Sequence, residues 1–451
     1  MKNVYFIGIG GIGMSAIARY YNLSGYNISG YDKTPSNITD KLSSEGIKIH
    51  FDEDINLIPK DVKNTLCIYT PAIPKDMKEL IYIQERPYTL VKRSKALGII
   101  AKDKDCIGIA GTHGKTTIST LVSHIFTDSL KGCSAFLGGI SKNYHSNLLV
   151  SNNNFLVAEA DEFDRSFLQL FPKTALITSI DADHLDIYKN AENLKKAFHD
   201  FAAQVKKTLI LKKKIATEEF KKGLSAKIYT YAFDEKADFY ASDLKYTKTG
   251  CLNFTLNTPE SSIQNVQVGV PGWVNVENAI AASAVSYLEG ISLENIKTAL
   301  ANFQGVERRF DIQINTPHLI YIDDYAHHPN ELSATISSVR NMFPHRHITA
   351  IFQPHLYSRT RDFCDDFAKS LSALDRVILL PIYPARELPI EGVSSEIILN
   401  KIKCNDKKII KKENILKELD KNNIDIVLTF GAGDIGLLVP KIKNYLCGKK
   451  S

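Results

Sequence analysis

The segment Cys106-Ile107-Gly108-Ile109-Ala110-Gly111-Thr112-His113-Gly114-Lys115-Thr116-Thr117 constrains this chain more than any other. An apolar, β-branched run stops at glycine. A second glycine, a lysine and two threonines then lead into a helical pattern from Ile118 to Phe126. That order reads as strand, phosphate loop and helix. Glycines let the backbone approach a polyphosphate, N–H groups of the loop and helix start donate to its oxygens, Lys115 bridges phosphates, and the Thr116 hydroxyl can ligate Mg²⁺. The nucleotide-binding set is therefore Gly111, Thr112, His113, Gly114, Lys115, Thr116 and Thr117. The motif is shortened, because the usual spacing places its first glycine at 109, where isoleucine stands. A bare Gly-rich turn is the other reading, and it leaves a lysine and a threonine directly after the glycine without a structural reason.

At 451 residues the chain is too long for one hydrophobic core and suggests two to four domains. Its 44% hydrophobic and 24% charged residues are those of an ordinary soluble protein, and no apolar run reaches the length of a membrane span. The chain enters a strand at Val4 with no apolar signal core ahead of it, which reads as cytoplasmic, without membrane insertion. Seven cysteines without CxxC spacing fit reduced thiols better than a disulfide framework or a zinc site. A net charge of +6 is small for this length, and the lysine clusters lack interleaved aromatics, so nucleic acid is not an expected partner.

Residues 1–102 pattern as a small doubly wound α/β unit. A strand from Val4 to Ile9 runs into Gly8-Ile9-Gly10-Gly11-Ile12-Gly13, a helix follows from Met14 to Leu23, and a second strand ends at Asp32. This is the dinucleotide fingerprint, which taken alone suggests NAD with Asp32 on a ribose hydroxyl. Its physical content is narrower: a helix N-terminus that accepts a diphosphate, which UDP supplies as well as NAD does. A later strand, Thr65 to Thr70, ends in the turn Pro71-Ala72-Ile73-Pro74, at the edge where open α/β sheets place ligands.

Residues 103–311 carry the phosphate loop. Strand Phe155 to Ala158 ends in Glu159-Ala160-Asp161-Glu162-Phe163-Asp164, and strand Ala175 to Ile180 ends in Asp181-Ala182-Asp183-His184-Leu185-Asp186. Acids and a histidine at strand ends beside a phosphate loop are where a nucleotide enzyme holds Mg²⁺, although either cluster alone could be a solvated loop. Residues 205–270 read as irregular and β-rich. Asn275-Val276-Glu277-Asn278 opens an Ala-rich helix, where asparagine serves as a cap or reads a base. Residues 312–451 form a third α/β unit with a helix from Thr360 to Leu374. Its strand ends carry Asp323-Asp324-Tyr325-Ala326-His327-His328-Pro329-Asn330-Glu331, Gln353-Pro354-His355-Leu356-Tyr357-Ser358-Arg359, Pro384-Ala385-Arg386-Glu387 and Gly431-Ala432-Gly433-Asp434, the layout of a substrate site.

Taken together, these motifs resemble the Mur ligases of bacterial cell-wall synthesis, and within them the members that join L-alanine to UDP-N-acetylmuramate. The resemblance covers nearly the whole chain and rests on Gly8 to Ser15, Gly111 to Thr116, Glu159 to Glu162, Asp183 to Asp186, Arg308-Arg309-Phe310, Asp323 to Glu331 and Phe352 to His355. It implies an α/β protein of three domains: a Rossmann-like N-terminal domain for the UDP sugar (1–102), a central P-loop ATPase (103–311) and a Rossmann-like C-terminal domain that closes over the site and helps bind the amino acid (312–451). It turns the GxGxxG into a UDP site and implies an acyl phosphate made from ATP and attacked by the alanine amine. On that resemblance Thr116, Glu159 and His184 hold Mg²⁺, Asn275 and Asn278 face adenine, and Arg309 reaches the phosphates. Gly10, Gly11, Ile12, Gly13, Asp32 and Ala72 bind the UDP sugar. Tyr325, His327 and Arg359 line the alanine and muramoyl site, with Lys115, His327 and Arg359 as the catalytic set and His327 accepting the amine's proton. The chain departs from the family at Ser179, where asparagine is common, at Val274, where histidine is, and at Leu356, where some members have arginine. No counterpart of the siblings' carbamylated lysine stands near Phe198 and His199.

The nearest rival is the recycling ligase that joins a ready-made peptide to the same sugar. An NAD-dependent dehydrogenase leaves Lys115 and the acidic clusters unexplained. A nucleotide-gated regulatory protein without turnover is a third class, and the His and Arg set of the last unit argues against it. The expected assembly is a monomer or homodimer.

Overall fold

Three sheets, each interleaved with helices, make this an α/β chain. The structure is a computed structural model and describes residues 2–181, 185–247, 251–385, 387–419 and 424–448, without the side chains of residues 185 and 186. Backbone packing separates it into two compact units: residues 1–244, 254–268 and 277–304, and residues 245–253, 269–276 and 305–451.

In the first unit, five parallel strands lie in the order Lys48–His50, Asn27–Tyr31, Asn3–Ile7, Thr65–Tyr69, Thr89–Lys92. Val4 to Ile7 is an unbroken buried apolar run, as a strand covered on both faces requires. The strand order reverses on either side of Asn3–Ile7. The Gly8 loop and the turn around Ala72 therefore meet at the switch point, where such sheets take ligands. Gly8, at φ +85°, leaves room for a Cβ only 2.8 Å from Thr70 Cγ2.

The ten-stranded sheet runs Ser262–Gln267, Leu252–Asn257, Phe239–Tyr246, Lys227–Ala232, Thr208–Lys212, Thr174–Ile177, Asp105–Ala110, Phe155–Glu159, Ser134–Ser141, Ser146–Leu149. Asp105–Ala110 lies between Thr174–Ile177 and Phe155–Glu159, parallel to both, so the segments after Ala110, Glu159 and Ile177 emerge at one edge. Residues 205–270, read as irregular and β-rich, supply five of these strands. The helix expected from Ile118 begins at Lys115 and runs to Asp128. The strand expected to reach Ile180 stops at Ile177, because residues 178–181 leave the ladder and bond to the phosphate loop instead. One continuous core extends from Val4 and Phe6 through Ala110, Phe167 and Phe201 to Leu211. It joins the two sheets, and Asn147 reinforces the join by donating to Ile12 O at 2.6 Å and Ser15 Oγ at 2.9 Å.

The second unit is built on six strands in the order Asp311–Asn315, Ile320–Asp324, Ile426–Phe430, Ile348–Phe352, Arg376–Leu379, Asp406–Ile409, parallel except for the first. The helix expected over residues 360–374 is two helices, Tyr357–Asp362 and Cys364–Leu371, broken at Phe363 (φ −113°, ψ 21°). No glycine or proline marks the break. It sets the Phe363 ring edge-on against His328, with centroids 4.9 Å apart.

Candidate active site

Gly111 (φ +126°) and Gly114 (φ +78°) turn the chain from strand to helix in conformations that glycine adopts without strain. Lys115 Nζ donates to Gly111 O at 2.6 Å and lies 2.8 Å from Glu162 Oε2, a buried carboxylate. Burial works against the ammonium, but the carboxylates of Glu162, Asp161 and Glu159 outweigh it and hold its pKa above the ordinary lysine value. Lys115 is thus a cation at any physiological pH. Thr116 Oγ1 donates to Glu159 Oε1 at 3.1 Å, and the Gly138 N–H donates to Glu159 Oε2 at 3.1 Å. A hydroxyl beside an oriented carboxylate is an oxygen donor set suited to a hard cation such as Mg²⁺, which keeps few protein ligands. His184 lies outside the described residues, and among those described no three His, Cys, Asp or Glu side chains converge on a metal position.

Thr112 and His113 are held by Ser179, and Thr117 is buried in the first turn of the helix. Asn278 is buried with Oδ1 against the loop, 2.9 Å from where a Cβ on Gly114 would stand. Asn275 belongs to the second unit, where its Nδ2 donates to Pro271 O at 2.7 Å.

At the first sheet, Asp32 accepts from the Gly10 N–H (2.7 Å) and the Thr34 N–H (3.3 Å), tying the glycine loop to the end of the second strand. Helix Ile12–Leu23 starts after Gly11 with no side-chain cap and no acid in its first turn. Ala72 is exposed in the adjoining turn. Arg93 is a residue that sequence reasoning missed, because it stands unmarked in the polar stretch from Lys92 to Lys104. Its Nη1 is 2.6 Å from where a Cβ on Gly13 would be, and its Nη2 is 3.2 Å from Asp161 Oδ2. One guanidinium thus touches both the glycine-loop helix and the acidic cluster.

In the second unit, two carboxylates shape the turn after Ile320–Asp324. Asp324 accepts from Thr335 Oγ1 at 2.5 Å and from the Ala326 N–H, and Glu331 accepts from the N–H groups of His327 (2.9 Å) and His328 (3.2 Å). Burial pushes the Asp324 pKa up to about 6, although Thr335 and the Arg309 charge oppose it. The His327 Nδ1 lies 2.9 Å from Tyr325 O. A carbonyl only accepts, so Nδ1 carries a proton, and the Glu331 carboxylate lies 3.6 Å from the same nitrogen.

Around this turn Arg309 lies over the Tyr325 ring, its Cζ 4.9 Å from the centroid, and Tyr325 meets His327 edge-on at 5.5 Å. His327 meets His355 at 5.8 Å, and the buried Arg359 places Nη1 3.5 Å from His355 Nδ1. Tyr325, His327, Arg309 and Arg359 are thereby brought together. Arg308 does something different from its neighbour. It pairs with the buried Asp323 at 3.1 Å and donates to Gly431 O at 2.8 Å, a clamp between strand ends. Glu387, from the strand-end cluster Pro384–Glu387, accepts from the Ser358 N–H (2.9 Å) and Oγ (2.5 Å), pinning the short helix that carries Arg359. Arg386 lies outside the described residues.

Three family models match the chain: Mur ligase family, catalytic domain, over residues 3–105; Mur ligase middle domain over 109–286; and Mur ligase, glutamate ligase domain, over 308–433. The chain is 50% identical to the UDP-N-acetylmuramate–L-alanine ligase of Porphyromonas gingivalis over 99% of both chains. It is 49% identical to the enzyme of the same name from Flavobacterium psychrophilum, over 99% of this chain and 98% of that one. The crystal structure of UDP-N-acetylmuramate-alanine ligase from Thermotoga maritima superposes with a TM-score of 0.84 at 26% identity, covering 99% of this chain and all of that one. A murein peptide ligase from Psychrobacter arcticus shares the fold at a TM-score of 0.71 and 21% identity.

Proposed function

The chain belongs to the Mur ligase family, and on that premise we propose that it joins L-alanine to UDP-N-acetylmuramate at the expense of ATP, an early step of peptidoglycan precursor synthesis in the cytoplasm. The observation that carries this reading is the 50% identity, across 99% of both chains, to a ligase of that name.

The chemistry follows from the parts. The γ-phosphoryl group of ATP passes to the muramoyl carboxylate, the alanine amine attacks the resulting acyl phosphate, and phosphate leaves as the amide forms. Lys115 opposes the negative charge that moves between ATP and the carboxylate, and the first-turn N–H groups of helix Lys115–Asp128 donate to the phosphate oxygens. Thr116 and Glu159 are the residues that would hold Mg²⁺, which supplies further neutralisation of the phosphates when bound. The glycine loop, Asp32 and Arg93 take the UDP diphosphate and ribose. In the second unit, Arg309 and Arg359 suit anionic oxygens, and the Nε2 lone pair of His327 accepts the proton of the attacking amine. The testing experiment is phosphate release with UDP-N-acetylmuramate and each candidate amino component. Release that requires L-alanine is the expected result, and release that requires a tripeptide instead makes the chain a recycling ligase.

A further inference from the structure

Phosphate loops bind through backbone N–H groups, so the function of this one depends on which of those groups face the nucleotide. Beyond the last ladder pair, Ile177 with Ala110, the neighbouring segment keeps bonding to the loop. Thr178 N donates to Ala110 O at 3.0 Å, and Thr112 N donates to Ser179 O at 3.1 Å. The His113 N–H donates to Ser179 Oγ at 3.2 Å, Ser179 Oγ lies 2.8 Å from Thr112 Oγ1, and Thr178 Oγ1 donates to His113 O at 2.5 Å. The Asp181 N–H donates to Thr112 Oγ1 at 3.3 Å, and the Asp181 carboxylate lies 3.2 Å from His113 Nε2. Gly111 is pressed so close that a Cβ there would stand 2.0 Å from Thr178 Oγ1. The N–H groups of both Thr112 and His113 are thus turned toward residue 179, away from a ligand on the other side of the loop.

The geometry assigns Ser179 the part of a positioning residue. Its hydroxyl, with that of Thr178, latches Gly111–Gly114 to the adjacent strand end before any nucleotide arrives, so the polyphosphate is received by the N–H groups from Gly114 onward, at the start of helix Lys115–Asp128. Ser179 touches no substrate and acts through the loop. Its effect is to remove the ordering cost of the loop from nucleotide binding. The assignment rests on the reading of Gly111–Thr116 as the ATP site and deepens it.

The test is the affinity for MgADP, measured by titration calorimetry on the full chain. Ser179→Ala leaves the His113 N–H without its acceptor, and the expected result is MgADP binding weakened by about tenfold or more, a parallel rise in KM for ATP, and an unchanged KM for L-alanine. Ser179→Thr, which keeps the hydroxyl, restores most of the affinity, and Thr178→Val weakens it as Ser179→Ala does. Unfolding of Ser179→Ala without nucleotide stays within a few degrees of the wild type, which a purely structural role does not predict. Should Ser179→Ala not fold, Ser179→Cys carries the same comparison with a weaker acceptor of similar size. MgADP affinity within twofold of wild type in a folded Ser179→Ala or Ser179→Cys protein overturns the latch. Wild-type protein that binds no MgADP, or a Lys115→Ala variant that binds it equally well, overturns the ATP-site reading instead.

Discussion

Lys115 and Glu162 are a buried pair, and removing one partner of such a pair leaves the other charge uncompensated at a cost of about 3–5 kcal/mol. Lys115→Ala should therefore lower turnover by roughly 10³-fold and also destabilise the first unit, whereas Lys115→Ala with Glu162→Gln regains stability without regaining activity. Steady-state phosphate release and denaturant unfolding measure the two effects; recovered activity in the double variant would remove Lys115 from the phosphate site. Asp324 gives a pH signature. Its pKa in the fold, about 6, lies above the ordinary aspartate value, so the charged form is disfavoured in the native state. The stability it contributes is fully present below about pH 4 and is lost as the pH rises through about 6. The difference in unfolding free energy between wild type and Asp324→Asn should fall by about 2 kcal/mol between pH 4 and 7. A flat difference contradicts the buried assignment.

The elements that carry these residues owe their placement to local hydrogen bonding that is only partly visible in the sequence. Helix Pro329–Met342 opens with proline at its first position, and its capping box pairs His328 with Glu331. Glu331→Ala should cost about 1–2 kcal/mol and raise KM for L-alanine, because the N–H groups of His327 and His328 lose their acceptor, while Glu331→Gln retains most of both. Thermal unfolding and alanine titration check this, and an unchanged KM in Glu331→Ala would detach the turn from the amino-acid site. The break at Phe363 was not legible, since the sequence carries no breaker there and the ring contact with His328 that goes with it is tertiary. Nor was the membership of residues 208–267 in the central sheet, because pairing between strands depends on partners distant along the chain. Arg93 is an ordinary charge in a polar run, and only tertiary placement sets it at Gly13; the Pro384–Glu387 cluster was visible, but not that Glu387 holds Ser358.

At the scale of the whole molecule, glycines and strand-end polar clusters made the chemistry readable. Each sheet announced itself through a buried apolar run, and all three glycine-rich loops follow such runs directly, after Ile7, after Ala110 and after Phe430. The GxGxxG alone pointed to NAD; it was the resemblance to the Mur ligases, carried by the phosphate loop, the acidic clusters and the His and Arg set together, that made a nucleotide sugar the expected ligand. No helix among the described residues is long and apolar enough to cross a membrane. The central claim is that one chain couples ATP cleavage to amide formation with a single amino acid. The measurement that tests it most directly is phosphate release from ATP and Mg²⁺ with UDP-N-acetylmuramate, comparing L-alanine, no amino component, and a tripeptide, with the mass of the nucleotide-sugar product followed in parallel. Release only with L-alanine, with a product heavier by one alanyl residue, is the expected result. Release with the tripeptide alone, or none with either, contradicts it.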